Sequence, residues 1–189
     1  MLITILLFFI LYMLDQALKF IMLNQGVNNP IVIGGTESNH FIKLELQFNP
    51  GAAFSMGSNA TVFLTIVSFI ATIALIIICT KFNNWKKNKT QAFALTLTLA
   101  GCVGNLFDRF LTANGVNFLS TTGKTIPGVN SGVVDMIYFR PFEWICDLLH
   151  MGYGVFNLAD FYLVTGIILF AFDLIFFSER KKRKWEKSL

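Results

Sequence analysis

Apolar residues run through this chain in four long stretches, which are separated by segments richer in polar residues. Each stretch is about 20 residues long, enough for a helix to cross a hydrocarbon core of roughly 30 Å. The pattern therefore predicts four transmembrane helices, at about residues 2–23, 60–80, 92–111 and 156–177. The first stretch lacks a basic start and a small-residue cleavage motif, and it contains Asp15. We therefore interpret it as a retained helix and not as a signal peptide.

Two shorter periodic patterns lie in the segments between the predicted spans. Residues 41–48 alternate between apolar and polar side chains, which predicts a strand within the β-type outer loop 24–59. In the outer loop 112–155, apolar residues recur with helical spacing over 141–152, which predicts a short amphipathic helix in the plane of the membrane interface. A plain surface anchor and a lid over a site explain this interfacial helix equally well.

The composition supports a membrane protein. Hydrophobic residues make up 54% of the 189 positions and charged residues 14%, and the mean hydropathy is +0.62. A soluble domain of this size would carry more charge. The length allows one membrane domain over residues 1–189 and leaves little for a separate soluble one. The expected fold is all-α: a bundle of four transmembrane helices, with a small β-sheet and a short interfacial helix on its outer side.

The distribution of basic residues predicts the topology. Ten of the fifteen Lys and Arg residues lie in the 81–91 loop and in the basic tail 178–189, while the two long loops hold only Lys43, Lys124 and Arg140. The positive-inside rule then places both termini and the short loop in the cytoplasm. A basic tail could also bind RNA or anionic lipid, but a solvated anchor that fixes orientation is the simpler interpretation. We therefore expect membrane lipids, and no nucleic acid, as partners.

Cysteine and histidine positions give no sign of a disulfide framework or a metal site. Cys79 and Cys102 lie inside predicted spans, where they act as small apolar residues, and Cys146 has no evident partner. Neither His40 nor His150 belongs to a metal-binding spacing. We expect neither a metal ion nor another cofactor.

Five short polar motifs interrupt the apolar background. In the predicted topology they all fall near one depth, just under the extracytoplasmic surface; Asp15, for example, lies about 21 Å along the first helix. Ionisable side chains are costly in the membrane, so they indicate a functional site. The motifs are Asp15–Lys19, Asn49–Ser55, Gly104–Arg109, Gly132–Asp135 and Phe156–Asp160.

Helical spacing places three pairs of these residues on shared helix faces: Asn105 with Arg109, Asn157 with Asp160, and Asp15 with Lys19. For the last pair, a snorkelling intrahelical ion pair explains the spacing at least as well as a catalytic role. Asp108 and Arg109 could likewise be interfacial anchors.

Asp135 and Asp160 are candidates for paired-carboxylate chemistry. Two adjacent carboxylates near lipid cannot both ionise at low cost, so one should hold a proton at neutral pH. The ionised partner can deprotonate a water, while the protonated one can hydrogen-bond a carbonyl and protonate the leaving amine. This is the chemistry of aspartic proteases, and it needs no metal.

Two other classes of protein also contain intramembrane Asp and Asn. A proton-coupled transporter or channel subunit would carry them near the midplane, on broken helices. In this chain the polar layer lies at the outer end, and the second and fourth spans are nearly uninterrupted. A non-catalytic assembly factor would use polar residues to join its helices. In that case, replacing either Asp would harm folding more than turnover.

Taken in order, the five motifs resemble those of the bacterial lipoprotein signal peptidases, also called signal peptidase II. Members of that family carry an Asp-Gln-x-x-Lys-like stretch, then Asn-x-Gly-Ala-Ala-Phe-Ser, Gly-Asn-x-x-Asp-Arg, Val-Val-Asp and Phe-Asn-x-Ala-Asp. Each motif alone is weak evidence for the resemblance, but the ordered set of five on four spans is specific to that family. Three features depart from the family: Ala100–Val103 replaces a Gly-Gly-Ala run, Met136 stands where Phe is usual, and the segment between Arg109 and Val133 is long.

The resemblance implies an aspartyl endopeptidase of the bacterial cytoplasmic (inner) membrane. It would remove the signal peptide from prolipoproteins, just before the cysteine that carries diacylglyceryl. The family's fold implies a sheet cradle from loop 24–59, and its members are inhibited by globomycin-type cyclic peptides. One chain holds both aspartates, so we expect a monomer. The implied roles are catalysis by Asp135 and Asp160, substrate binding by Asn49, Gly51, Asn105, Arg109 and Asn157, and structural support by Asp15, Lys19 and Asp108.

Overall fold

Four of the described helices are long and apolar enough to cross a membrane. The structure, a computed structural model, describes residues 2–26, 29–49, 59–113, 132–148 and 154–186. Each predicted span coincides with one long helix, and only the ends differ. The last helix continues well into the segment predicted as a basic tail, because Lys, Arg and Glu are good helix formers. The long helices are α1 (Leu2–Gln25), α2 (Asn59–Phe82), α3 (Lys89–Ala113) and α5 (Leu158–Glu186).

A three-stranded antiparallel sheet joins the segment between α1 and α2 to the segment that follows α3. Its strands are β1 (Ile31–Ile33), β2 (Ile42–Asn49) and β3 (Val133–Phe139), in the order β1-β2-β3. β2 is the strand that the alternating pattern predicts. β3 was not predicted: the motif that contains Asp135 was assigned to a loop, because its residues form an apolar run without alternation. Residues 133–136 are all buried, Asp135 included, so burial does not alternate along this part of the strand.

The sheet packs on the end of α1. Met22 and Leu23 of that helix form a buried cluster with Leu46 of β2 and with Val134 and Met136 of β3. Side chains along a strand point alternately to opposite faces, so the residue between the last two points away from α1. The apolar cluster on one face of β3 thereby directs the carboxylate of position 135 to the other face.

α3 is the central helix of the bundle: it packs against α1, α2 and α5 and is the most buried of the four spans. Its contact with α5 is close because glycines line it. A Cβ atom on Gly101 would lie 2.3 Å from the Ala159 carbonyl oxygen, and one on Gly166 would lie 2.4 Å from Thr98 Oγ1. Small residues permit such close approach of membrane helices. This approach brings the C-terminal half of α3 beside the first turn of α5.

The predicted interfacial helix is present, but in a shorter form. A 3₁₀ turn (Arg140–Phe142) leads into α4 (Glu143–Leu148), and residues 149–152 of the predicted helix lie outside the described part of the chain. The side chains of Phe142, Trp144 and Leu148 are exposed. They leave an apolar surface next to the sheet.

Candidate active site

Two carboxylates from different elements are joined by a chain of amide hydrogen bonds. Asp135 lies on β3 and is 1% exposed, while Asp160 lies in the first turn of α5 and is partly buried. The Asn157 side-chain amide Nδ2 donates to Asp135 Oδ1 over 2.8 Å and to Asn105 Oδ1 over 3.0 Å. Asn105 Nδ2 in turn donates to Asp160 Oδ1 over 2.7 Å. Strand and helix therefore place both acids in one polar cluster, as the motifs predicted.

The first turn of α5 orients the carboxylate of Asp160. Asn157 is the N-cap residue: its Oδ1 accepts a hydrogen bond from the Asp160 backbone N–H over 2.8 Å. Asp160 Oδ2 accepts one from the Asn157 backbone N–H over 3.2 Å. This reciprocal arrangement is a capping box, which requires acceptors three residues apart. The Asn-x-x-Asp spacing thus fixes both the start of the helix and the direction of its acid.

The environment of Asp135 favours its protonated form. Burial raises the pKa of this carboxyl to about 7, and the negative charge of Asp160 adds to that rise. Hydrogen bonds from Asn49 and Asn157 act in the opposite direction and lower the pKa. A group with a pKa near 7 populates both protonation states at neutral pH, which suits it for proton transfer.

Arg109 lies beside this cluster, between two helices. Its Nη1 is 3.4 Å from Ser68 Oγ of α2 and 3.5 Å from the backbone oxygen of Asn105. The guanidinium interacts electrostatically with Asp160 and Asp135. Sequence reasoning missed Ser68, although a hydroxyl in an apolar span, at the depth of the polar layer, was an available signal.

A second polar cluster lies next to the acids. Lys19 Nζ is 2.7 Å from a carboxylate oxygen of Asp15 and 2.7 Å from one of Asp108, and the three side chains are 3%, 1% and 0% exposed. The intrahelical ion pair of Lys19 with Asp15 is therefore confirmed. The snorkelling part of that interpretation was wrong, because Lys19 is buried between α1 and α3. Asp108 is equally buried, which excludes an interfacial anchor.

The remaining predicted site residues lie at the end of β2. Asn49 is exposed and makes a side-chain hydrogen bond to Asp135, so it reaches the site from the sheet. Gly51 lies outside the described residues. Within the described ranges, no three His, Cys, Asp or Glu side chains are grouped as a metal ion would need.

Comparisons with known proteins agree with this geometry. Residues 7–176 match the family described as Signal peptidase (SPase) II. A lipoprotein signal peptidase of Fusobacterium nucleatum is 31% identical over 187 residues, which cover 96% of this chain and 92% of the relative. One from Cellvibrio japonicus is 29% identical over 171 residues, which cover 88% of this chain and 82% of that relative.

Solved structures of bacterial membrane enzymes share the fold. One, determined by the in meso method at 2.3 Å resolution, superposes with a TM-score of 0.70 at 26% identity, covering 94% of this chain and 90% of its own. Another, at 1.9 Å resolution, gives a TM-score of 0.68 at 26% identity over 90% and 91% of the two chains. The family match spans most of the chain, and the chain therefore belongs to the signal peptidase II family.

Proposed function

We propose that this protein is an aspartyl endopeptidase that removes the signal peptide from diacylglyceryl-modified prolipoproteins, cleaving just before the lipidated cysteine. One observation carries the proposal: Asp135 and Asp160 are joined through the amides of Asn157 and Asn105. This arrangement supplies a paired acid and base in a chain of the signal peptidase II family. The relatives named above are lipoprotein signal peptidases, which supports the choice of substrate.

The proposed reaction needs only the two carboxyl groups and a water. The pKa of about 7 supports Asp135 as the acid that holds the proton in the resting enzyme. Asp160 then takes a proton from the water, whose oxygen attacks the scissile carbonyl carbon. Asp135 donates a hydrogen bond to the carbonyl oxygen, where negative charge develops. As the tetrahedral intermediate collapses and the C–N bond breaks, Asp135 gives its proton to the leaving nitrogen, while Asp160 keeps the proton taken from the water. The pair thus still holds one proton, and no covalent enzyme intermediate forms.

The amides around the pair would orient the substrate. Asn105 and Asn157 are buried, and their amides hold Oδ1 of Asp160 and Oδ1 of Asp135, respectively. Asp160 Oδ2 also accepts the Asn157 backbone N–H, so a water would use the remaining lone pair of that oxygen. Asn49 extends from the end of β2 beside Asp135 and, with Gly51, would bind the substrate backbone. Arg109 would stabilise negative charge that develops near Asp160.

The site would lie near the extracytoplasmic face of the bacterial inner membrane. The basic residues of the 81–91 loop and of the tail support cytoplasmic termini and a multi-pass chain. The exposed Trp144 and Leu148 of α4 support contact with the outer interface, with the sheet as a cradle above the site. The apolar signal peptide would enter laterally, while its diacylglyceryl chains stay in the outer leaflet. We propose a monomer, which globomycin-type cyclic peptides would inhibit.

The test is cleavage of a diacylglyceryl-modified prolipoprotein by the protein purified in detergent, followed as a gel shift. Asp135→Asn and Asp160→Asn should each abolish cleavage while remaining folded. Asp173→Asn is the matched control, because this buried Asp lies 13 residues beyond Asp160 along α5 and accepts a hydrogen bond from Asn88, just before α3; this variant should cleave normally. Undiminished cleavage by either of the first two variants would remove that residue from the pair. No cleavage by folded wild type would overturn the proposal.

A further inference from the structure

Lys19 is the centre of a buried ion cluster that we name the lysine clamp, formed by Asp15, Lys19 and Asp108. Its ammonium nitrogen lies 2.7 Å from each carboxylate, and none of the three side chains is more than 3% exposed. Replacing a buried ion cluster with neutral residues of similar volume is often neutral or stabilising. Stability therefore does not by itself account for three charged groups at this depth.

One arm of the clamp holds the strand that carries the first acid. Asp108 Oδ2, which faces Lys19, also accepts the Val134 backbone N–H over 3.2 Å. Val134 directly precedes Asp135, so this hydrogen bond fixes the backbone at the base of the Asp135 side chain. The arm therefore connects β3 to α3.

The other arm holds the helix that carries the second acid. Asp15 Oδ1 accepts the Ala159 backbone N–H over 2.9 Å, while its Oδ2 binds Lys19. Ala159 directly precedes Asp160, so this hydrogen bond fixes the start of α5 against α1. Gly104 leaves the necessary room, because a Cβ atom at that position would lie 2.9 Å from Asp15 Oδ2.

We propose that Lys19 is a positioning residue for peptide cleavage: by joining Asp15 to Asp108, it sets the separation between Asp135 and Asp160. This inference rests on the proposed function. Both acids must reach one water and one carbonyl, and two carboxylates in one site repel each other. A cation that ties their backbones together resists this repulsion. An error of about 1 Å in such positioning can cost about 100-fold in rate.

The first test removes the charges and keeps the acceptors. The triple variant Asp15→Asn, Lys19→Met, Asp108→Asn retains amide oxygens for the Val134 and Ala159 N–H groups but lacks the cation between them. We expect a thermal unfolding midpoint equal to or above that of wild type. We expect kcat to fall about 100-fold with KM unchanged, because the substrate-binding groups remain. A merely structural clamp would change the midpoint and leave the kcat of the folded protein intact.

The second test displaces one arm without changing any charge. Gly104→Ala places a methyl group against Asp15 Oδ2 and the Ala159 Cβ, each at 2.9 Å. Its matched control is Gly166→Ala, on the same α3–α5 contact but about two turns away, where the new Cβ meets Thr98 Oγ1 at 2.4 Å. Gly104→Ala should lower kcat, and Gly166→Ala should lower it less although its steric overlap is greater.

Three results would separate the hypotheses. Wild-type kcat in a folded triple variant, or in Gly104→Ala if the triple variant does not fold, would overturn the positioning role of Lys19. An equal loss of kcat in the two glycine variants would assign the effect to helix packing and would also overturn it. Inactive wild-type enzyme would instead overturn the proposed function on which this inference rests.

Discussion

Replacing Asn157 with serine should separate its role at the helix start from its role at the acids. Serine is also a strong N-cap residue, so Asn157→Ser keeps an acceptor for the Asp160 N–H. Serine has no amide that can replace Nδ2, which donates to Asp135 over 2.8 Å. The variant therefore removes the side-chain bridge between the acids and retains the cap.

The size of the effect follows from that one hydrogen bond. A hydrogen bond to a charged group is worth about 1.5–3 kcal/mol, and about 1.4 kcal/mol corresponds to one pKa unit. The Asn157 bond lowers the pKa of Asp135, which burial and Asp160 have raised to about 7. Its loss removes a group that stabilises the ionised form, so the pKa of Asp135 should rise. The limb of the pH profile that belongs to Asp135 should then move to higher pH by about one to two units.

The assay is kcat/KM for prolipoprotein cleavage, measured from pH 5 to pH 10, together with thermal unfolding in the same detergent. Asn157→Ala is the matched control, because it loses both the bridge and the cap. It should show the same pH shift and an additional destabilisation of about 1 kcal/mol. A pH profile of Asn157→Ser that coincides with that of wild type, or that moves to lower pH, would refute the assignment of this limb to Asp135.

Three further predictions test stability. Because the pKa of Asp135 is raised, the folded state loses stability as the pH rises from 3.8 to about 7, by at most about 4 kcal/mol. The inactive variant Asp135→Asn should therefore have a higher melting temperature than wild type at pH 8 but not at pH 4. Equal melting temperatures of the two proteins at both pH values would refute this. Asn88→Ala removes the amide that donates to the Asp173 carboxylate over 2.6 Å and should lower the free energy of unfolding by about 1.5–3 kcal/mol without changing kcat. Gly101→Val should destabilise the fold, since even a Cβ would overlap the Ala159 oxygen; unchanged melting would contradict the close helix contact.

The elements that could be predicted from the sequence are those whose pattern of apolar and polar residues reflects their own surroundings. The long helices follow from apolar runs of the length of a bilayer, and β2 follows from alternation, because one of its faces is apolar and the other polar. β3 has buried residues at positions 133–136, including the acid, so its pattern shows no period of two. No local rule distinguishes such a short apolar run from a loop beside a helix end.

The members of the candidate site could be named from the sequence, but their connections could not. The i, i+4 spacing of Asp15 and Lys19 predicts a pair within α1 and contains no information on Asp108, which is 89 positions from Lys19. Likewise, the Asn157 spacing to Asp160 predicts a shared face, while its donation to Asp135 spans 22 positions. Such contacts depend on how the helices pack.

These long-range contacts also change the part assigned to α1. This helix supplies neither proposed catalytic acid, and its polar motif indicated only a supporting role. Yet Asp15 accepts the backbone N–H of the residue that precedes Asp160. Lys19 binds a carboxylate that accepts the backbone N–H of the residue that precedes Asp135. A shift of α1 along its axis would therefore move both acids, although its exposed apolar side chains could still contact lipid. Selection on α1 should thus act on the register of two charged positions more strongly than on the identity of its apolar residues.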